Sequence, residues 1–143
     1  MNILKKIVML PVTLAVGLVG CSTGSGKTYV LTTTSFGYDP HYRPYIVELN
    51  GEEVGGGFGA ATKRSAVITG PQYVKWGEGN SYKEHEAINI PQLTKEELKG
   101  KSYLAVHLYP DDSVEITLTE NLPRATQKGL DWRDKIRAEK NNK

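Results

Sequence analysis

The reactive side chains of this 143-residue chain are few: three histidines and one cysteine. Asp39 and His41 stand two apart in a segment that also holds Gly37 and Pro40. A carboxylate beside an imidazole is the orienting half of an acid–base or nucleophilic device, and it needs a third group that linear spacing does not supply. Glu84-His85-Glu86 sets an imidazole between two acids. That triplet suits a held proton or a weak metal, and more readily a solvated strand end. His107 falls on the polar side of an alternating strand. None of the three has the spacing of a His-Glu-x-x-His metal site, so no metal, no nucleophile elbow and no catalytic residue is expected. Gly24-Ser25-Gly26-Lys27-Thr28 spells the end of a phosphate-binding loop, but the required leading glycine is Cys21. The β-prone run Tyr29–Thr34 follows where a helix N-terminus would have to hold phosphate, so no nucleotide is expected.

Cys21 is explained by what precedes it. Lys5 and Lys6 lead into the apolar run Ile7–Val19, and Gly20 stands directly before Cys21. A basic start, a short apolar core and a small residue at the cut make an export signal, too short to remain as a span across ~30 Å of hydrocarbon. Leu18-Val19-Gly20-Cys21 resembles the processing site of bacterial lipoproteins. The resemblance implies cleavage between Gly20 and Cys21, a diacylglyceryl group on the thiol and an N-acyl group on the new terminus. Ser22 follows, not the Asp linked to inner-membrane retention in enterobacteria, which implies the outer membrane, periplasmic side. With its one cysteine committed to lipid, the fold has no internal disulfide.

The elements are read in order around these residues. Residues 1–20 are the signal and 21–27 a flexible tether of roughly 14 Å reach. Residues 28–123 form a β-domain and 124–143 a basic tail with seven Lys or Arg against three Asp or Glu. Strands are expected at 28–35, 44–49, 52–55, 65–69, 73–76, 84–90, 103–109 and 113–119. Asn50-Gly51 predicts a type I′ hairpin, and Thr94 with Glu97 predicts a capped helix of one or two turns. Short strands with turn residues between them predict an all-β fold, a small antiparallel sandwich or open barrel with a short helix and a charged C-terminal tail. Leu130, Trp132 and Ile136 have the spacing of a short amphipathic helix before a frayed end. Lys5 and Lys6 leave with the signal, so basic and acidic side chains balance in the mature form, and nucleic acid is not an expected partner. The aromatics cluster in mid-chain. Tyr38, Phe58 and Trp76, with Asp39 and His41, are the candidate partner-contact residues, because aromatics beside glycine loops anchor many interfaces. Trp76 reads equally as core.

The order of several short motifs carries a further resemblance. Gly37-Tyr38 is followed by Arg43-Pro44-Tyr45-Ile46, then Val47-x-x-Asn50-Gly51 and the glycine-rich 55–59 loop. Lys75-Trp76, Ile90-Pro91 and Leu104-x-Val106-His107-Leu108-x-Pro110-Asp111 complete the series. The series, about two thirds of the mature chain, resembles a family of small Gram-negative lipoproteins carrying a domain of unknown function. Many members have a cysteine pair after the glycine loop, where this chain reads Ala60-Ala61-Thr62-Lys63-Arg64-Ser65. Lipoproteins like these serve as immunity proteins against type VI secretion phospholipase effectors. The resemblance therefore implies a lipase-occluding binding protein, not an enzyme, with no cofactor beyond the lipid on Cys21. Two other readings stand beside it: an accessory lipoprotein of a secretion or surface complex, and a small hydrolase using Asp39 and His41.

Overall fold

The computed structural model describes residues 27–142. Gly20, Cys21 and the tether up to Gly26 lie outside them. The strands are β1 (Thr28–Gly37), β2 (Pro44–Leu49), β3 (Glu52–Glu53), β4 (Lys63–Ile68), β5 (Gly70–Pro71) and β6 (Val74–Glu78). There follow β7 (Glu84–Glu86), β8 (Gln92–Leu93), helix α1 (Lys95–Leu98), β9 (Tyr103–Leu108), β10 (Val114–Thr119) and helix α2 (Gln127–Asn141). One sheet has the order β10-β9-β1-β4, a second β3-β2-β6-β7, and β5 pairs β8 in a small ribbon. The fold is mostly β and consistent with a small sandwich, with no closed barrel.

Local signals worked where the chain turns on itself. Asn50 and Gly51 have φ of 52° and 83°, the left-handed pair that a type I′ turn demands. The Thr94–Glu97 capping box is complete in both directions, and α1 then runs one turn to buried Leu98. β9 and β10 form the expected antiparallel hairpin, from Val114 opposite Leu108 to Thr119 opposite Tyr103. The strand expected over 84–90 is only three residues long. One pairing departs from the antiparallel plan: β1 runs parallel to β9, Thr32 opposite Tyr103 through Gly37 opposite Leu108. That ladder joins segments far apart in sequence, with the whole second sheet between them.

β9 and the C-terminal half of β1, the centre of the first sheet, are buried on both faces. Leu104, Val106 and Leu108 of β9 pack with Leu31, Val67 and Val114 against Val47, Leu49, Val74 and Trp76 of the second sheet. Each such aliphatic side chain contributes about 1.5–3 kcal/mol when removed from water. The alternate residues Ala105 and Tyr109 join Phe36 and Tyr38 in a second cluster, against which Phe58, Ala125 and Trp132 pack. This second face corrects the reading of His107, which is fully buried rather than solvated.

The cover of that face is α2. Thr126 caps it, accepting from the Gly129 N–H at 3.1 Å, and Trp132 stacks on Tyr109 at 5.9 Å. Gly129 sits so close to the Tyr38 ring that a Cβ there would lie 2.5 Å from it. The short helix expected around Leu130, Trp132 and Ile136 is present but longer, a continuous helix over Gln127–Asn141 that docks on this face where a frayed end was expected.

Candidate functional site

The expected contact residues are distributed between core and surface. Tyr38 is fully buried and Trp76 nearly so, at 2% exposure, so neither side chain can meet a partner; both are corrected to packing residues. The Tyr38 hydroxyl accepts from the Thr126 N–H at 2.9 Å and reaches His107 Nδ1 at 2.8 Å, tying β1, β9 and the start of α2 together. Burial pushes the Tyr38 phenol up and His107 down to about 4. Asp39 and His41 do meet, with Oδ1 2.8 Å from Nδ1. The same Oδ1 accepts the His41 backbone N–H at 2.9 Å, so the pair closes an Asx turn. Among the described residues Asp39 is the side-chain partner of His41, and no hydroxyl stands against the imidazole. One Gly-x-Ser-x-Gly spelling does occur, Gly20-Cys21-Ser22-Thr23-Gly24. It lies outside the described residues, and β1 follows where a nucleophile elbow needs a helix.

Phe58 is half-buried, not free as expected. Gly57, Phe58 and Gly59 have φ of 66°, 56° and 85°, a left-handed turn closed by Ala61 N–H donating to Gly56 O at 3.0 Å. Gly59 is required, since a Cβ there would clash with the Phe36 ring. The turn lays Phe58 edge-on against Phe36 and Tyr38, centroids 5.1 and 5.6 Å away. The Arg133 guanidinium lies 4.2 Å from the Phe58 centroid, a cation–π contact.

Phe58 and Arg133 belong to the wall of a cleft of about 650 Å³. The Asp39–Pro44 loop, Ile46, the Gly55–Phe58 loop and Arg133 and Arg137 of α2 enclose it. Gly37 lets the loop fold back, because a Cβ there would overlap Pro44. Ile46 stands at a register shift of β2 between Tyr45 and Glu48, with φ of 45°. A β-branched residue in the left-handed region is an outlier, costing of order 1–3 kcal/mol. The bulge turns Tyr45 and Ile46 to solvent at 48% and 45% exposure, beside Tyr82 at 72%. Tyr82 also has positive φ, 58°, and its ring meets Tyr45 edge-on at 5.9 Å. Ile46 borders both the cleft and a neighbouring hollow of about 250 Å³ lined by Trp76, Tyr82 and His85.

Beneath that hollow His85 is gripped on every side. Its Nδ1 is 2.8 Å from Asp112 and its Nε2 2.7 Å from Glu78. Its ring stacks between Tyr42 and Trp76 at 5.1 and 5.3 Å, and Trp76 Nε1–H donates to the Tyr42 hydroxyl at 2.8 Å. Burial opposes protonation of His85, but the Glu78 and Asp112 contacts outweigh it and raise its pKa. Tyr42 is pushed up to about 12, chiefly by burial. The clasp ties the far end of the second sheet to the β9–β10 turn. Sequence reading missed the partners of His85, which come from other elements. It counted Tyr45 and Tyr82 only among the mid-chain aromatics, and it missed Ile46 and the Arg133–Arg137 pair, although that i,i+4 spacing after Gly129 was a visible signal.

Comparison with protein-family models, with curated proteins and with solved structures returned no match.

Proposed function

We propose that this chain is an outer-membrane lipoprotein, held by acyl chains on Cys21 at the periplasmic side, that binds a protein and occludes it. The occluded protein is a type VI secretion phospholipase effector, the partner class implied by the family-like order of motifs. One observation carries the binding reading: three large apolar side chains, Tyr45, Ile46 and Tyr82, stand together in solvent around the hollow beside the cleft, two of them on left-handed backbone. Exposed apolar patches on small domains mark contact sites, and strain held at such a place serves presentation rather than folding. The proposed contact set is therefore Asp39, His41, Tyr45, Ile46 and Tyr82 around the cleft, with Tyr38, Phe58 and Trp76 supporting it from below. A lipid anchor raises the local concentration of an inhibitor at the surface the lipase attacks.

The test is co-purification of the chain with a phospholipase effector found in a neighbouring reading frame, and survival of cells that make that effector in the periplasm. Rescue by the wild type, lost on Ile46→Asp with Tyr82→Asp, supports the proposal. Equal killing with and without the chain refutes it, and a pull-down that returns a secretion-machine component instead supports an accessory role.

A further inference from the structure

The cleft is polarised by charge. Arg43, Arg133 and Arg137 line it with Asp39 and Glu53. The two acids already have partners: Asp39 holds His41 at 2.8 Å, and Glu53 faces Lys63 at 3.7 Å. Among the described residues the three arginines form no ion pair. Arg133 Nε is buried without a hydrogen-bond partner. A buried guanidinium nitrogen without an acceptor is costly, and the fold holds Arg133 in place despite that cost.

The pair is built, not incidental. Gly129 lets α2 press onto Tyr38, and Arg133 and Arg137 follow at four-residue steps on the same face. The Phe58 ring, set by its left-handed turn, holds the Arg133 guanidinium in place. A planar guanidinium fixed on an aromatic face is prearranged to grip a planar oxyanion with two parallel N–H bonds. Opposite, the Gly55–Gly57 loop leaves the wall without side chains, so an inserted chain can come close.

We propose that Arg133 and Arg137 form a carboxylate-binding site, and that its ligand is an Asp or Glu side chain on a loop that the protein partner inserts into the cleft. The identity of the partner rests on the binding function proposed above. Three arginines against two already partnered acids leave the lining net positive, which suits an anion. Placement favours a protein over a headgroup. β1 has ten residues, about 33 Å at 3.3 Å each, and it begins at Thr28 while Ser35 and Gly37 near its other end line the cleft. The site is at the end of β1 away from Thr28.

The test uses the full mature chain in detergent micelles, with the arginine Nε–H resonances as readout. The probe is N-acetylglutamate N-methylamide, and its neutral twin is the glutamine compound. Inorganic phosphate and phosphatidylglycerol vesicles form two further arms. A saturable shift of the Arg133 Nε–H is expected with the glutamate probe, with affinity at least about tenfold above the glutamine twin. Arg133→Gln and Arg137→Gln should each erase that preference, and Arg133→Lys should restore part of it. Should Arg133→Gln fail to fold, the comparison stands on exposed Arg137. Equal shifts with both probes, no shift with either, or a stronger response to phosphate or vesicles would each overturn the proposal. Probe binding by a chain that does not protect cells would refute the immunity function and leave the carboxylate site; protection without probe binding would do the reverse.

Discussion

His85 and His107 are driven in opposite directions by their surroundings, and the two should be separable by pH. His107 is neutral in the fold, its pKa lowered to about 4 by burial. Its Nδ1 and Nε2 stand 2.8 Å from the Tyr38 and Thr117 hydroxyls, so both ring nitrogens are satisfied by the neutral imidazole. The unfolded chain binds the extra proton between about 6.5 and 4, so stability falls as pH falls through that window. The loss amounts to about 3 kcal/mol, and urea titrations across the window should show it in the wild type and not in His107→Gln. His85 has the opposite sign. Its raised pKa means the folded state binds more protons above about 6.5. Its contribution is full below that pH and decays as pH rises through the folded value. His85→Gln should remove this decline on the neutral side, read by the same titrations. Neither environment was legible in the sequence. Glu84 and Glu86 seemed the neighbours of His85, whereas Glu78 and Asp112 hold it, and Asp112 arrives from the β9–β10 turn.

Elements were legible in proportion to how local their causes are. The Asn50-Gly51 hairpin, the Thr94 cap and the β9–β10 pair each follow from residues within one turn of the structure they make. The parallel β1–β9 ladder and the second buried face were not legible, because alternation in β9 marks one face only when the other is assumed wet. The seat of α2 depends on Gly129 against a ring ninety positions earlier, which a tail-like composition hides. Gly129→Ala should therefore cost about 1–3 kcal/mol by overpacking against Tyr38, seen as a lower thermal midpoint. It should also disturb the Arg133–Phe58 contact, which lies one turn on. The β2 bulge gives an opposite outcome. Ile46→Asn places a residue that tolerates the left-handed region at φ 45°, and should raise stability by about 1 kcal/mol in denaturant titration. The same substitution should weaken partner binding, because it removes the apolar side chain between the cleft and the hollow.

At the scale of the molecule, the proposed function gives the two ends separate tasks. The end carrying Thr28 receives the tether, and the opposite end displays the bulge, the glycine loop and the arginines of α2. Lipid on Cys21 would hold the first near the membrane and leave the second facing the periplasm, within the short reach of the tether. Cys21→Ser should release the chain from the membrane fraction and abolish labelling by radioactive palmitate, without changing its thermal midpoint. The candidate site was half legible: through Asp39 and Phe58 the sequence pointed to two loops that enclose the cleft. It took their aromatics for contacts, where Tyr38 and Trp76 are the packing that holds them. Burial depends on the second sheet and on α2, both assembled from residues remote in the chain. The most direct measurement of the central claim is the activity of a type VI phospholipase effector, taken from a lipase-like reading frame found beside this one, assayed with and without the purified chain. Stoichiometric loss of activity, relieved by Ile46→Asp with Tyr82→Asp, is the expected result. Unchanged lipase activity at saturating lipoprotein would contradict it.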